Sequence, residues 1–289
     1  MYLTENFLTL WAKSEGGLCL TRTVWNNDEI NFESTPPNLV ILTGYIKVLS
    51  YFFSKIYPRL HRPFVLVIIE SDYVPLQKQW LDLSMVKRVF SWNPPFVHSK
   101  LSAIPIGLNF DRHYYPLTSW LFSRKEPVFR NRLVCSNFNF DNGLERQRLR
   151  NVILNDMKGY CDVLPFRPPL ARFSRKSFVD GDLFCDVTDP KCYDDWSSYK
   201  FILSPFGAGI DCHRTWEALI LGVIPIVKTS LLDPLFENLP VLIIEDWGEL
   251  SARFLETQFE RLDPSKNHFD TNKLTLSWWT DHIGECVQP

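Results

Sequence analysis

The stretch "YKFILSPFGAGIDCHRTWEALILGVIPIVKT", residues 199–229, contains in order an apolar segment, a loop with glycines, a helical pattern and a second apolar segment. Gly207 and Gly209 in the loop permit backbone angles that other residues resist. Asp211 is expected to cap the helix N-terminus, and Gly222 stands where a helix ends. A strand, a helix and another strand in succession predict one unit of a parallel α/β sheet.

The predicted helix has an apolar side and a polar side. Four apolar residues recur at the spacing i, i+3, i+4, i+7, so we expect them to face the core. They are Trp216, Leu219, Ile220 and Val223. His213, Arg214 and Glu217 fall together on the first turns and are expected to face solvent.

The polar end of this helix has the chemistry of a nucleotide diphosphate site. A glycine loop that feeds a helix N-terminus suits a phosphate, and Arg214 adds a fork of donors for phosphate oxygens. Glu217, one turn on, can accept hydrogen bonds from ribose hydroxyls. The same spacing also fits an ordinary capped helix with an Arg214–Glu217 surface pair. The loop matches neither the dinucleotide fingerprint nor the P-loop.

Further apolar strands occur in both halves of the chain, at 38–44, 64–75 and 132–140. Their apolar runs are continuous rather than alternating, which indicates parallel sheets covered on both faces. Two strand–helix sets of similar size predict an α/β fold with two domains facing a cleft, joined by an aromatic- and proline-rich connection. The predicted boundaries are 1–125 for the first domain, 126–268 for the second and 269–289 for a C-terminal helix.

The composition and charge of the chain exclude several classes of protein. The net charge of −2 and the pI near 6.3 argue against a general nucleic-acid binder. Neither a signal peptide nor an apolar run long enough for a membrane span is found, so we expect a soluble, cytoplasmic protein. Seven Cys without a C-x2-C pair favour reduced thiols over a disulfide framework or a zinc site.

Residues 199–247 closely resemble the donor-binding half of exostosin-like glycosyltransferases of the GT-B architecture. The segments "ESDYVP" (70–75), "VHSKLSAIPIGLNF" (97–110) and "VCSNFNF" (134–140) are similar to blocks in small algal and viral members. The resemblance covers roughly residues 40–247. In length and in the lack of an anchor, the chain most resembles chlorovirus xylosyltransferases that use UDP-xylose.

The resemblance implies two Rossmann-like domains facing a cleft, with a C-terminal helix that crosses back. It implies a UDP-sugar donor on the second domain. The acceptor, an oligosaccharide or glycoprotein glycan, would lie against the first. The expected reaction is transfer of a sugar, xylose from UDP-xylose, to a carbohydrate hydroxyl with inversion. The alternatives are a fucosyltransferase-like enzyme that uses GDP-fucose and a carbohydrate-binding module without activity.

The family's donor-site roles can be carried over residue by residue. Glu217 would hold the donor ribose. The residues expected around the pyrophosphate are Ser204, Gly207, His213 and Arg214. Asn137 and Phe138, after the first strand of the second domain, would line the same cleft. Arg146 and Arg150 on the next helix either reach a phosphate or stay solvated.

Inverting transfer requires a base that deprotonates the acceptor hydroxyl. Asp72 and Glu70 follow a strand, at the edge where α/β sheets bind their ligands. Asp72 matches the family's Asp before "VP" and is the first candidate, with Glu70 second, although Asp72 also fits a role in capping the turn. His98 and Asp111 are further, acceptor-side candidates, and His98 also fits a role in fixing its own loop.

Asp180 and Asp182 form a D-x-D, the pair that binds Mn²⁺ in the other major glycosyltransferase architecture. The polar segment before it, "SRKSFV", favours a turn instead. We therefore expect transfer without a metal or other cofactor, with the nucleotide sugar as co-substrate. Arg214 and the helix N-terminus would stabilise the leaving diphosphate.

Overall fold

The protein is a mixed α/β structure with two parallel five-stranded sheets and a two-stranded ribbon. The computed structural model describes residues 1–20, 37–110, 114–123, 129–165, 172–176, 182–186 and 191–288. Its helices are α1 (Glu5–Ser14), α2 (Ile46–Tyr51), α3 (Lys78–Leu81), α4 (Tyr115–Ser123), α5 (Leu144–Asn155), α6 (Lys191–Ser197), α7 (His213–Leu221), α8 (Ala252–Leu262) and α9 (Leu276–Val287). None of these described helices is long and apolar enough to cross a membrane.

The first sheet consists of strands from the N-terminal half, in chain order. They are β1 (Leu18–Leu20), β2 (Leu39–Thr43), β3 (Phe64–Ile69), β4 (Val86–Ser91) and β5 (Leu101–Ala103). Every neighbouring pair is parallel. All residues of β2 and β3 are buried, as expected for apolar strands with both faces covered. On one face α2 and the π-helical turn Phe52–Ile56 pack against β2 and β3.

The second sheet reverses its strand order, and this reversal positions the candidate site. Its strands are β6 (Arg132–Ser136), β7 (Cys161–Val163), β10 (Tyr199–Leu203), β11 (Ile224–Lys228) and β12 (Leu242–Ile244). The spatial order is β7-β6-β10-β11-β12, and all neighbouring pairs are parallel. The strand that follows β6 in the chain, β7, therefore lies on one side of the β6–β10 pair, and the strands that follow β10 lie on the other side. Open α/β sheets bind ligands beyond the carboxyl ends of such a strand pair.

One apolar core connects the two sheets. It combines Ile41 and Val67 of the first sheet with Trp216 of α7 and with Trp279 and Ile283 of α9. Helix α9 contacts both β3 and α1, so the C-terminal end of the chain lies against the first sheet. The two halves are therefore joined by buried apolar surface, in addition to the connecting chain.

The predicted α/β class with two parallel sheets is confirmed. The domain boundaries at 125 and 268 stay a prediction. The aromatic- and proline-rich segment that we expect to connect the domains contains the helix α4. The N-terminal α1 and β1 were not predicted, since the short β1 is recognisable only through its pairing with β2.

Candidate functional site

Helix α7 begins beyond the carboxyl ends of β6 and β10. Trp216 and Leu219 are buried in the core, as the apolar spacing predicts. Gly222 ends the helix in the left-handed conformation at φ 71°, where glycine avoids the cost of a side chain. The N-cap residue, Cys212, makes no side-chain capping hydrogen bond. The start of α7 therefore faces the strand ends without a capping side chain.

The prediction that Asp211 caps α7 is wrong by one residue. Asp211 is 4% exposed, and its Oδ1 accepts hydrogen bonds from the Cys212 N–H at 2.8 Å and from Trp216 Nε1 at 2.9 Å. Its Oδ2 accepts the backbone N–H of Ile106 at 3.0 Å. Burial raises the pKa of this carboxyl to about 7. Asp211 thus ties the start of α7 to the segment that follows the first sheet.

Asn93, which the sequence analysis did not single out, holds the two halves together beside the glycine loop. Its Nδ2 donates to the carbonyl of Ser71 at 3.1 Å, and its Oδ1 accepts the N–H of Asp211 at 2.8 Å. A Cβ on Gly209 would lie 2.7 Å from Asn93 Nδ2 and 2.9 Å from the Asp72 carbonyl oxygen. Only glycine fits this close approach of backbones without displacement.

Two arginine side chains lie against the ring of Phe138. The guanidinium carbons of Arg214 and Arg146 are 5.2 Å and 5.5 Å from the ring centroid. Arg214 Nε donates to the carbonyl of Asn137 at 2.9 Å, and Arg146 Nε donates to the carbonyl of Phe206 at 2.8 Å. Backbone carbonyls that follow β6 and β10 therefore fix the two guanidinium groups.

Two carboxylates of the described residues act on this arginine pair electrostatically, because Glu145 raises the pKa of Arg146 and the charge of Arg214 lowers the pKa of Glu217. No carboxylate of the described residues lies within ion-pair distance of either guanidinium. Arg146 is 6% exposed, and burial, followed by the charge of Arg214, lowers its pKa. A buried cation next to a like charge is unfavourable unless an anion compensates it. Arg150 differs, because it is exposed and lies 5.8 Å from the Phe140 centroid.

The glycine loop packs directly on this pair. A Cβ on Gly207 would lie 3.1 Å from Arg146 Nη2, which is tighter than nine in ten real Cβ contacts. Ser204 is buried, and its hydroxyl is 2.9 Å from that of Thr215 and 3.1 Å from the Cys212 sulfur. Ser204 therefore fixes the end of β10 to the first turn of α7.

The expected solvent position of Glu217 is wrong. Its side chain is 4% exposed, and its Oε1 accepts a hydrogen bond from the Tyr193 hydroxyl at 2.8 Å. Burial raises its pKa, while the Tyr193 bond and the charges of His213 and Arg214 lower it. His213 is half-buried and its Nδ1 donates to the carbonyl of Gly107 at 2.8 Å. Helix α6, which carries Tyr193, covers the side of α7 that the spacing assigned to solvent.

A cavity of about 510 Å³ separates the glycine loop from the first sheet. Its walls come from the loop after β3, the loop after β4, the start of α5 and the loop after β10. Residues on facing walls include Asp72, Tyr73, Asn93, Glu145, Phe206 and Gly207. Asp72 is exposed here, whereas Glu70 is half-buried at φ 60° and is not among the lining residues. Of the two carboxylates, Asp72 is the one that the fold brings to the cavity.

His98 lies elsewhere. Its Nε2 is 3.3 Å from Asp82, and its Nδ1 accepts the N–H of Lys100 at 3.1 Å, so it fixes its own loop and does not line the cavity. Asp111 and Asp180 lie outside the described residues. Asp182 begins β9 (Asp182–Asp186), which pairs antiparallel with β8 (Arg172–Lys176). The described residues contain no cluster of three His, Cys, Asp or Glu suited to a metal ion.

The fold thus brings Asn137, Phe138, Ser204, Gly207, His213, Arg214 and Glu217 together around the start of α7. Comparison with known proteins adds no assignment to this arrangement. No protein-family model matches the chain, and no curated protein is significantly similar to it in sequence.

Proposed function

We propose that the protein is a GT-B glycosyltransferase that transfers a sugar from a nucleoside diphosphate sugar to a carbohydrate hydroxyl. One observation carries the proposal. Two guanidinium groups, those of Arg146 and Arg214, flank Phe138 at the strand-order reversal, and neither forms an ion pair with a carboxylate of the described residues.

A diphosphate fits this position better than a single carboxylate does. Each guanidinium presents several N–H donors in one plane, a geometry that matches phosphate oxygens. The partial positive charge of the α7 N-terminus adds to the attraction. Negative charge also develops on the leaving diphosphate during sugar transfer. Guanidinium donors that are held by hydrogen bonds to backbone carbonyls stabilise this charge in the transition state without having to reorganise.

The opposite wall supplies the proposed base, Asp72. Its carboxylate accepts the proton of the acceptor hydroxyl as that oxygen attacks the anomeric carbon. The bond from the anomeric carbon to the diphosphate oxygen breaks at the same time, and its electron pair leaves with the nucleotide. Attack from the face opposite the leaving group inverts the configuration. Asp72 lines the cavity together with Gly207, which packs on Arg146, and this suits the opposed arrangement.

The donor ribose remains the proposed partner of Glu217. Because the Glu217 carboxylate is buried, it can take this role only if the ribose reaches it inside the protein. The ribose has to enter beside Tyr193, whose hydroxyl already donates to Oε1. Loss of the ribose hydroxyls should then weaken binding of the nucleotide in the wild type more than in Glu217→Gln. Equal effects of 2′,3′-dideoxyuridine diphosphate on both proteins would remove Glu217 from the donor site.

The proposal is tested by a thermal-shift screen of UDP- and GDP-sugars, followed by a transfer assay with the donor that stabilises most. Ligands that bind the folded state raise its apparent stability by RT ln(1 + [L]/Kd). We expect UDP-xylose to give the largest shift. A preference for GDP-fucose would favour the fucosyltransferase alternative, and donor binding without transfer or hydrolysis would contradict catalysis. No shift with any nucleotide sugar would refute the proposal.

Independence from metal is part of the proposal. The arginine pair and the helix N-terminus would stabilise the leaving diphosphate, the role that a divalent cation has in metal-dependent enzymes. We expect transfer to survive EDTA. Activity that returns only on addition of Mn²⁺ would contradict this part and leave donor binding to be judged separately.

A further inference from the structure

A second cavity, of about 340 Å³, adjoins the first. It lies between the loop after β4, the strand β5 and the helix α9. Pro94 and Leu231 line both cavities, so the two are direct neighbours. Its volume falls within the range of about 300–1,000 Å³ that is usual for small-molecule sites.

The walls of this second cavity combine aromatic rings with polar groups. Phe96 and Trp278 are half-buried, and Trp278 stacks on the ring of His282 at a centroid distance of 5.0 Å. Lys273 and Ser102 add an ammonium and a hydroxyl. The structure gives the indole N–H of Trp278 no hydrogen-bond partner among the described residues.

This pattern suits a sugar ring. A pyranose has apolar C–H faces, which pack against aromatic side chains, and a rim of hydroxyls, which require donors and acceptors. Tryptophan and histidine provide an apolar body with a polar tip for this kind of ligand. The nucleotide diphosphate is a poorer fit, because no arginine is found among the described residues that line this cavity. The amine of Lys273 lies 5.8 Å from the Trp278 centroid and already donates to the carbonyl of Glu237.

We propose that the second cavity binds a sugar unit of the acceptor glycan, remote from the hydroxyl that is modified. The identification of this sugar as part of an acceptor rests on the function proposed above. Binding of a saccharide in the cavity does not depend on that function. Because the two cavities meet at Pro94 and Leu231, an oligosaccharide that passes over these two residues would occupy both. Binding a remote unit would position the reacting hydroxyl near Asp72, because binding energy away from the reacting atoms can be used for orientation.

The test measures binding of a panel of methyl glycosides and of di- and trisaccharides of xylose, fucose, galactose, glucose and mannose. Saturation-transfer NMR and tryptophan fluorescence report binding to the wild type and to Trp278→Ala and His282→Ala. We expect at least one saccharide to bind at millimolar concentration. Loss of one aromatic contact should lower the affinity for that saccharide about three- to tenfold.

The matched control is Trp11→Phe, because Trp11 is also half-buried and lines a different groove, between α1 and α9. This variant should bind saccharide like the wild type. His282 is exposed, so its replacement tests the cavity even if Trp278→Ala fails to fold. Absence of binding by the whole panel, unchanged affinity in His282→Ala, or an equal loss in Trp11→Phe would overturn the proposal.

Calorimetry with UDP separates this inference from the proposed function. The His282→Ala variant should bind UDP like the wild type, because His282 lines only the second cavity and is not among the residues around the arginine pair. If saccharides bind but no nucleotide does, the cavity assignment stands and the transferase assignment fails. If nucleotides bind and saccharides do not, the donor site stands and the second cavity has another role.

Discussion

The side-chain oxygen of Asn93 accepts a hydrogen bond at 2.8 Å from the backbone N–H of Asp211. Through this bond a residue that follows the fourth strand of the first sheet holds the loop that precedes α7. The same asparagine donates to the carbonyl of Ser71, next to the proposed base Asp72. Both walls of the candidate active site are therefore fixed to one buried amide.

Replacing Asn93 should loosen this connection. Asn93 has φ 43°, so Asn93→Gly removes the side chain without adding backbone strain. The Asp211 N–H would lose its partner inside the protein, and we expect the free energy of unfolding to fall by about 1–3 kcal/mol. Urea denaturation measures the change. Asn142→Gly, in an exposed residue of the same cavity, should cost less than half as much.

Adding one methyl group at Gly209 should separate the two walls. Its Cβ would clash with Asn93 and with the Asp72 backbone, and such overpacking typically costs about 1–3 kcal/mol. We expect Gly209→Ala to unfold at lower urea concentration and to lose transfer activity. The control is Gly284→Ala on α9, where a Cβ meets open space and should stabilise the helix slightly. Equal stability of the two variants would contradict the close approach.

Arg214→Ala should distinguish phosphate binding from nucleoside binding. Loss of a hydrogen bond to a charged group costs about 1.5–3 kcal/mol, which is roughly a ten- to hundredfold loss of affinity for UDP. Affinity for uridine should change little. Isothermal calorimetry on Arg150→Ala, whose guanidinium is on the exposed side of α5, provides the matched control. If UDP and uridine weaken to the same extent, Arg214 supports the fold and does not bind the diphosphate.

The identity of the base is tested with two isosteric changes. Asp72→Asn should retain affinity for the UDP-sugar and lower the rate of transfer by about 10²–10⁴, the usual contribution of a positioned base. Glu70→Gln should be milder, because Glu70 is not among the residues that line the cavity. Initial rates at saturating donor measure both. Near wild-type transfer by Asp72→Asn, together with an inactive Glu70→Gln, would assign the base to Glu70.

The Asp211 carboxyl should make stability depend on pH. Its pKa is about 7 in the folded protein against an ordinary value of 3.8, so the folded state holds the proton more tightly than the unfolded state. The resulting stabilisation is complete below about pH 4 and is lost as the pH rises through 7. Between about pH 5 and pH 8, the unfolding free energy of the wild type should therefore fall by about 2–3 kcal/mol more than that of Asp211→Asn. Parallel pH profiles for the two proteins would show that Asp211 is ionised throughout.

The local sequence pattern predicts those structural features that depend on residues close together in the chain. The apolar spacing of Trp216 and Leu219 identifies the buried side of α7, and Gly222 identifies its end. Continuous apolar runs identify the strands of both sheets. These features depend on contacts within a few residues or on burial of a whole segment, which composition and periodicity report directly.

The positions of Glu217, Asp211 and Asn93 could not be predicted in the same way. Helical spacing shows which residues share a side, but it cannot show that Tyr193 from another helix covers the polar side as well. Asn93 and Asp211 are 118 residues apart, and the bond between them depends on how two sheets pack. The charge pattern does not show whether Arg146 binds a phosphate or faces solvent. Its burial against Phe138, which only the structure shows, distinguishes it from Arg150.

The apolar core shared by the two sheets restricts how the molecule can move. Domains that meet through small polar interfaces rotate about a hinge, whereas a large apolar interface resists such rotation. Here Trp216 of α7 and Ile283 of α9 belong to the same buried cluster as Ile41 of the first sheet. Opening the halves as rigid bodies would expose that cluster to water. A ligand should therefore enter a gap that is already formed, and any closure over it would come from the loops at the rim.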